Sequence, residues 1–286
     1  MSPAVVTLAF ASAALFGLAL VLTQIGLRVL SPLRGACISV PTAALMFLAL
    51  SPLTVDFARW HSGSALLFAL AGCLFPAAVT LLTFEANRLI GANLTGALGN
   101  LTPAFAVAVA AVLLGEVPRP VEIAGIAIIL AGVLLLVGLP RSAGQAIGWG
   151  VALPLAAAAI RGLIQPVVKL GFAGWPDPFA AALIGYLVSA AVLLTFAAVR
   201  EGAGFLPGRD GWLRFTAVGV CNGLAVLTMY AALARGPVAV VAPLIACYPL
   251  ATLLFGRVLL GSGTASWITV LGVAITVSGV TVLLAG

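Results

Sequence analysis

Charge is what this sequence lacks. Charged side chains make up 7% of its 286 residues, where a water-soluble domain carries roughly 25%. So little charge cannot cover a water-facing surface, and a mean hydropathy of +1.28 excludes a soluble globule. Histidine is almost absent, His61 being the only one. The four cysteines (Cys37, Cys73, Cys221 and Cys247) stand singly in apolar stretches, without Cys-x-x-Cys spacing. No metal centre is expected, and no cofactor. No aspartate falls inside an apolar stretch, so the paired acids or Ser–His dyad of an intramembrane enzyme are not expected either. The net charge of +6 comes from residues scattered through short connections. Nothing there would follow nucleic-acid phosphates.

What the chain has is long apolar runs. A spanning helix needs about 20 mostly apolar residues. Ten such segments fit, near 3–26, 34–53, 64–86, 92–114, 121–139, 146–168, 178–200, 212–233, 238–260 and 265–285. They are too long and too continuously apolar for barrel strands. The expected fold is therefore an all-α integral membrane protein with ten transmembrane helices in a lipid bilayer. The first run has no basic segment ahead of it and reads as a span, not a cleaved leader. One structural unit, a monomer, is expected.

The chain is written twice. "FGLALVLTQIG" (16–26) faces "RGLIQPVVKLG" (161–171) at an offset of 145. "LTPAFAVAVAAVLLG" (101–115) faces "CYPLATLLFGRVLLG" (247–261) at 146, and "GIAIILAGVLLL" (125–136) faces "GVAITVSGVTVL" (272–283) at 147. Three matches in order across five helices mark a duplication. A first five-helix repeat over 1–140 and a second over 146–286 are expected. An odd helix count makes the second repeat enter the membrane from the opposite side. Such inverted repeats surround a central cavity in secondary transporters. Connections of odd rank carry eight basic residues and those of even rank four, which favours the odd ones, and neither terminus, in the cytoplasm.

Proline interrupts several spans. Pro103 and Pro249 hold the same place in the two repeats, and Pro166 follows Gln165. All three are candidate hinges, because an interior proline removes a backbone hydrogen bond. Glycines seven apart, Gly125/Gly132 and Gly272/Gly279, predict tight packing of the fifth and tenth spans.

Ionisable residues inside spans are rare and usually functional. Arg161 is about 15 residues into its span, and no acid is expected at its depth. Glu85 sits near a helix end, where a pair with Arg88 is expected. Two readings of Arg161 stand: it snorkels toward the interface, or its planar fork holds a substrate carboxylate or phosphate. Gln165, Asn100, Thr80, Phe84, Asn222, Thr228, Tyr230 and Tyr248 are the candidate neighbours in a substrate site. Without a mid-span carboxylate to carry a proton, gradient-driven uniport is expected.

The Phe-Gly at 16–17, "ANRLIGANLTGALGNLTPAFAVAVAAVLLGE" (86–116) and its echo "ALARGPVAVVAPLIACYPLATLLFGRVLLG" (232–261) resemble the drug/metabolite transporter superfamily, in its ten-helix EamA-type branch. The resemblance covers essentially the whole chain. It implies a central cavity lined by spans 1, 3, 4, 6, 8 and 9, with 5 and 10 behind. It implies a multi-pass protein of the bacterial inner membrane, in a branch rich in amino-acid and metabolite exporters. Three positions depart from the pattern. Phe16 stands where Trp is common, Arg161 occupies the equivalent site of the second repeat, and Ser262 replaces the second Glu of Leu-Gly-Glu. The residues favour a neutral or aromatic amino acid as small-molecule substrate. Exchange of anionic metabolites, of the nucleotide-sugar or phosphosugar type, and proton-coupled drug export are the alternatives.

Overall fold

The computed structural model describes residues 2–137, 147–202, 211–261 and 267–285. Arg141, Arg209 and Ser262, and the side chain of Asn93, lie outside them. Every regular element among the described residues is helical. The α-helices are α1 (Pro3–Gly26), α2 (Pro32–Thr54), α3 (Ser62–Leu74), α4 (Ala77–Gly99), α5 (Thr102–Leu114) and α6 (Pro120–Val137) in the N-terminal half. In the C-terminal half they are α7 (Ile147–Phe172), α8 (Pro178–Glu201), α9 (Trp212–Leu233), α10 (Val238–Ile245), α11 (Tyr248–Leu260) and α12 (Trp267–Ala285). Among the described residues, seven stretches are long and apolar enough to cross a bilayer, and three shorter apolar helices accompany them.

Prolines and glycines decide where helices start and stop. The expected spans 64–86, 92–114 and 238–260 are not continuous: α3 ends at Leu74, and α4 starts at Ala77 and runs across the gap expected between the third and fourth spans. α4 ends at Gly99 and α5 starts at Thr102; α10 ends at Ile245 and α11 starts at Tyr248. Pro103 and Pro249 therefore open new helices and do not bend old ones. The reason is local: the first helical turn has no use for the missing N–H, and proline's fixed φ suits it. Both helices end on left-handed glycines, Gly115 at φ 67° and Gly261 at φ 63°, a conformation a side chain would strain. A third glycine, Gly91 at φ 75°, makes the sharp bend inside α4. Pro166 does lie inside a helix, in α7.

Glycine contacts recur between the halves. A Cβ on Gly17 of α1 would stand 2.6 Å from Ala251 and 2.8 Å from Thr252 of α11. One on Gly162 of α7 would stand 2.4 Å from Phe105 and 2.9 Å from Ala106 of α5. Gly72 packs on Gly185, and Gly219 packs on Ser39, with similar closeness. α6 and α12 run antiparallel, Gly125 against Leu283, Gly132 against Thr276 and Gly279 against Ile129. Small residues permit such backbone approach in an apolar solvent that offers helices little hydrophobic reason to associate.

The bundle has two ends. At one, Gly26 and Gly35 enclose Phe215, Leu30 touches Gly211, and Arg34 pairs with Glu201 at 3.2 Å. At the other, Trp60 packs on Trp175, His61 touches Gly174, and Lys169 pairs with Glu116. These are called the Arg34 end and the Lys169 end.

Candidate functional site

The helix breaks bring small residues and one tyrosine together at mid-depth. Tyr248, the first residue of α11, donates its hydroxyl proton to the Gly96 carbonyl of α4 at 2.6 Å. Gly99 makes room for it, since a Cβ there would lie 2.4 Å from the tyrosine oxygen. Gly17 admits α11 against α1, so Phe16 and Tyr248 share one apolar cluster.

Above this floor opens a cavity with about 690 Å³ of empty space, part of it open to solvent. Phe16, Gly99, Arg161 and Tyr248 form its inner limit. Thr23, Thr80, Thr83, Thr95 and Asn222 add polar wall, and Phe75, Val79, Phe84, Tyr186 and Val226 supply most of the rest. The walls run toward the Arg34 end. Thr23 precedes Gly26 by three residues, and Phe84 packs on Phe215 with ring centroids 5.7 Å apart. A second, smaller cavity lies beyond the floor, against Thr102, Gln165, Ala242, Ile245 and Ala246. Phe16, Gly99, Arg161 and Tyr248 border both. Arg161 is therefore part of a partition between two spaces.

Among the described residues, Arg161 is held by neutral groups alone: its guanidinium lies against the Tyr248 hydroxyl. Its guanidinium carbon lies 5.7 Å from the centre of the Phe16 ring. Its Nε is buried without a hydrogen-bond partner, and among the described residues no ion pair involves it. An arginine at mid-membrane costs about 2.5–3.5 kcal/mol on insertion scales. A cation–π contact offsets about 0.5–2 kcal/mol of that. The acids are engaged elsewhere. Glu85 accepts from Arg88 Nε at 3.0 Å. Glu116 takes Lys169, whose Nζ lies 2.5 Å from Oε1, so Lys169 does not reach the cavity. An anionic guest would supply the counter-charge that the chain withholds.

The residues singled out from sequence divide. Arg161, Thr80, Phe84, Asn222 and Tyr248 line the larger cavity. Gln165 lines the smaller, its Oε1 buried and unpartnered. Asn100 is 1% exposed, with both amide atoms unpartnered, but borders neither space. Thr228 is six residues past Asn222, about 240° around the helix. Its hydroxyl donates to the Leu224 and Ala225 carbonyls at 2.9 and 3.0 Å. Tyr230 packs edge-on to Phe172, centroids 6.2 Å apart, away from both cavities. Sequence reasoning missed Thr23, Phe75 and Thr95. Thr23 follows Phe16 by seven residues, two helical turns on the same face, and that spacing was a usable signal. α8, which is the seventh expected span, also contributes to the wall through Tyr186, beyond the spans that the family resemblance implies.

Comparison with known proteins agrees with this architecture. The EamA-like transporter family matches twice, over residues 4–138 and 148–285. A solved structure described only as "Crystal structure of protein" superposes with a TM-score of 0.77 at 20% identity. It covers 99% of this chain and 96% of that one, a likeness of fold. No curated protein matches.

Proposed function

The chain belongs to the EamA-like transporter family, and from that premise we propose that it carries a small metabolite with one anionic group across the bacterial inner membrane. The cargo class that fits is an amino acid with a neutral or aromatic side chain, moved outward. Arg161 takes the carboxylate, Asn222 and Thr80 supply hydrogen bonds, and Tyr248, its hydroxyl engaged with Gly96, walls the site. Phe16 and Phe84 receive the side chain, while Gln165 meets the head group from the second cavity. The observation that carries this reading is Arg161 at the inner limit of a cavity, with Nε unpartnered and no carboxylate paired to it among the described residues.

The proposed frame is ten crossings in two inverted five-helix halves that alternate access around the cavity. The close contact made at Gly17 recurs at Gly162 and that at Gly72 recurs at Gly219, which supports it. The broken pairs α4/α5 and α10/α11 act as the moving parts, with Pro103 and Pro249 fixing where each second segment begins. Flux follows the substrate gradient, because Glu85 is held by Arg88 within α4, ahead of the bend at Gly91, and is not free to shuttle a proton. A doubly charged phosphosugar fits less well, since Lys169 is committed to Glu116 and leaves Arg161 as the cavity's cation among the described residues. The test is counterflow in proteoliposomes with amino acids, phosphosugars and cationic dyes. Amino acids should exchange, with or without a proton gradient. Exchange confined to dyes, or strictly dependent on ΔpH, contradicts the reading.

A further inference from the structure

The two ends of the cavity system are built from equivalent residues but charged differently. Lys169, in the last turn of α7, lies 2.5 Å from Glu116 Oε1 and donates to the Gly236 carbonyl at 2.6 Å. Glu116 Oε2 accepts the Val238 amide at 2.7 Å. One carboxylate just past α5 thus ties down α7 and the turn before α10, across the boundary between the halves. Both side chains are 21% exposed, so water weakens the pair only in part. The other charged groups nearby are spoken for. Arg119 pairs with Glu122 at 3.1 Å, and Arg235 donates to the Ala231 carbonyl at 2.8 Å.

The residues equivalent to Lys169 and Glu116 in the other half, Gln24 and Ser262, carry no charge and cannot form such an ion pair. Gln24 stands 145 residues before Lys169. It approaches Gly91 as Lys169 approaches Gly236, its Nε2 lying 3.9 Å from where a Gly91 Cβ would be. Among the described residues, Arg34 with Glu201 joins α2 to α8 and Arg88 with Glu85 stays within α4, so neither pair ties the end of α1 to the Gly91 bend. The consequence matches the cavity. The larger space runs toward the Arg34 end. Toward the Lys169 end, all eight residues of α10 are buried, and Ala246 in the second cavity is 3% exposed.

We propose that Lys169, Glu116 and the Gly236–Val238 turn form a one-sided latch, which holds the Lys169 end closed and biases the empty protein toward opening at the Arg34 end. For the Lys169 end to open, α5 must part from α7 and α10, and the contacts of Glu116 break together. A charge left half-buried without its partner is what makes that parting unfavourable. The latch acts on the conformational equilibrium of the empty protein, so it is independent of which metabolite is carried.

The experiment needs no substrate. In a background with Cys37, Cys73, Cys221 and Cys247 replaced by alanine, single reporters Ala246→Cys and Thr83→Cys are placed in the second and first cavities. Labelling by a hydrophilic methanethiosulfonate is timed in nanodiscs, with size-exclusion profiles to confirm folding. Ala242→Cys serves as the deep reporter if Ala246→Cys does not fold. Glu116→Gln and Lys169→Met should each raise labelling of the deep reporter ~10-fold, the shift produced by about 1.4 kcal/mol of lost bias, and should slow labelling at Thr83→Cys. Lys169→Arg should stay near the parent in both. Unchanged labelling of the deep reporter overturns the latch. So does faster labelling at the deep reporter without slowing at Thr83→Cys, which would mean loosening and not a shift between two openings. Transport failing for every cargo while these shifts appear would leave the latch standing and remove only the proposed substrate.

Discussion

α1 and α7 carry the same pattern and do different work. Gly17 and Gly162 stand at the same place and make the same close contact, α1 with α11 and α7 with α5. One residue earlier, Phe16 faces Arg161; two turns later, Gln24 faces Lys169. The packing residue has been kept in both halves, while the residues facing the cavity and its closed end have diverged. In each case the second half holds the cation. Symmetric packing lets two openings be built from one plan. On the account proposed, asymmetric charge decides what is bound and which opening is favoured at rest.

Breaking the charge half of the comparison has the largest expected effect. Arg161→Ala should lower kcat/KM by about 10- to 100-fold, the loss of a charge-assisted hydrogen-bonded contact worth about 1.5–3 kcal/mol, as measured by initial rates of counterflow. Breaking the packing half comes next. Gly162→Leu and Gly17→Leu should each destabilise the fold by about 1–3 kcal/mol through overpacking, read as lower thermal midpoints in detergent and similar in size at the two sites. A marked difference between them would break the equivalence. Tyr248→Phe removes one hydrogen bond to Gly96, worth about 0.6 kcal/mol in a membrane interior, so counterflow should slow by no more than about threefold. The smallest effect belongs to Thr228→Val, since that hydroxyl bonds only its own helix. Its transport rates should match those of the parent protein.

The broad plan was legible in the sequence because a bilayer leaves few options. Apolar runs gave the helices, and glycine spacing in α6 and α12 gave their contact, since backbone approach depends on Gly125, Gly132 and Gly279 whatever surrounds them. The pair of Glu85 with Arg88 was readable at three-residue spacing. The breaks at 100–101 and 246–247 were not read correctly. A proline within an apolar run announces an interruption, but whether it bends a helix or begins a new one depends on tertiary contacts such as that of Tyr248 with Gly96. The site was half legible for a similar reason. Residue type pointed to Arg161 and Asn222, but which face of α9 met the cavity was fixed by packing, which turned Thr228 and Tyr230 aside. The partner of Lys169 was out of reach, because Glu116 lies 53 residues away in the other half.

The central claim is that Arg161 holds the anionic group of the cargo. The most direct measurement is inhibition of counterflow by a transported amino acid and by its uncharged amide, in the parent protein and in Arg161→Ala. The parent should prefer the acid by about 10- to 100-fold, and Arg161→Ala should bind both alike. Undiminished preference for the acid in Arg161→Ala would place the carboxylate elsewhere and contradict the account.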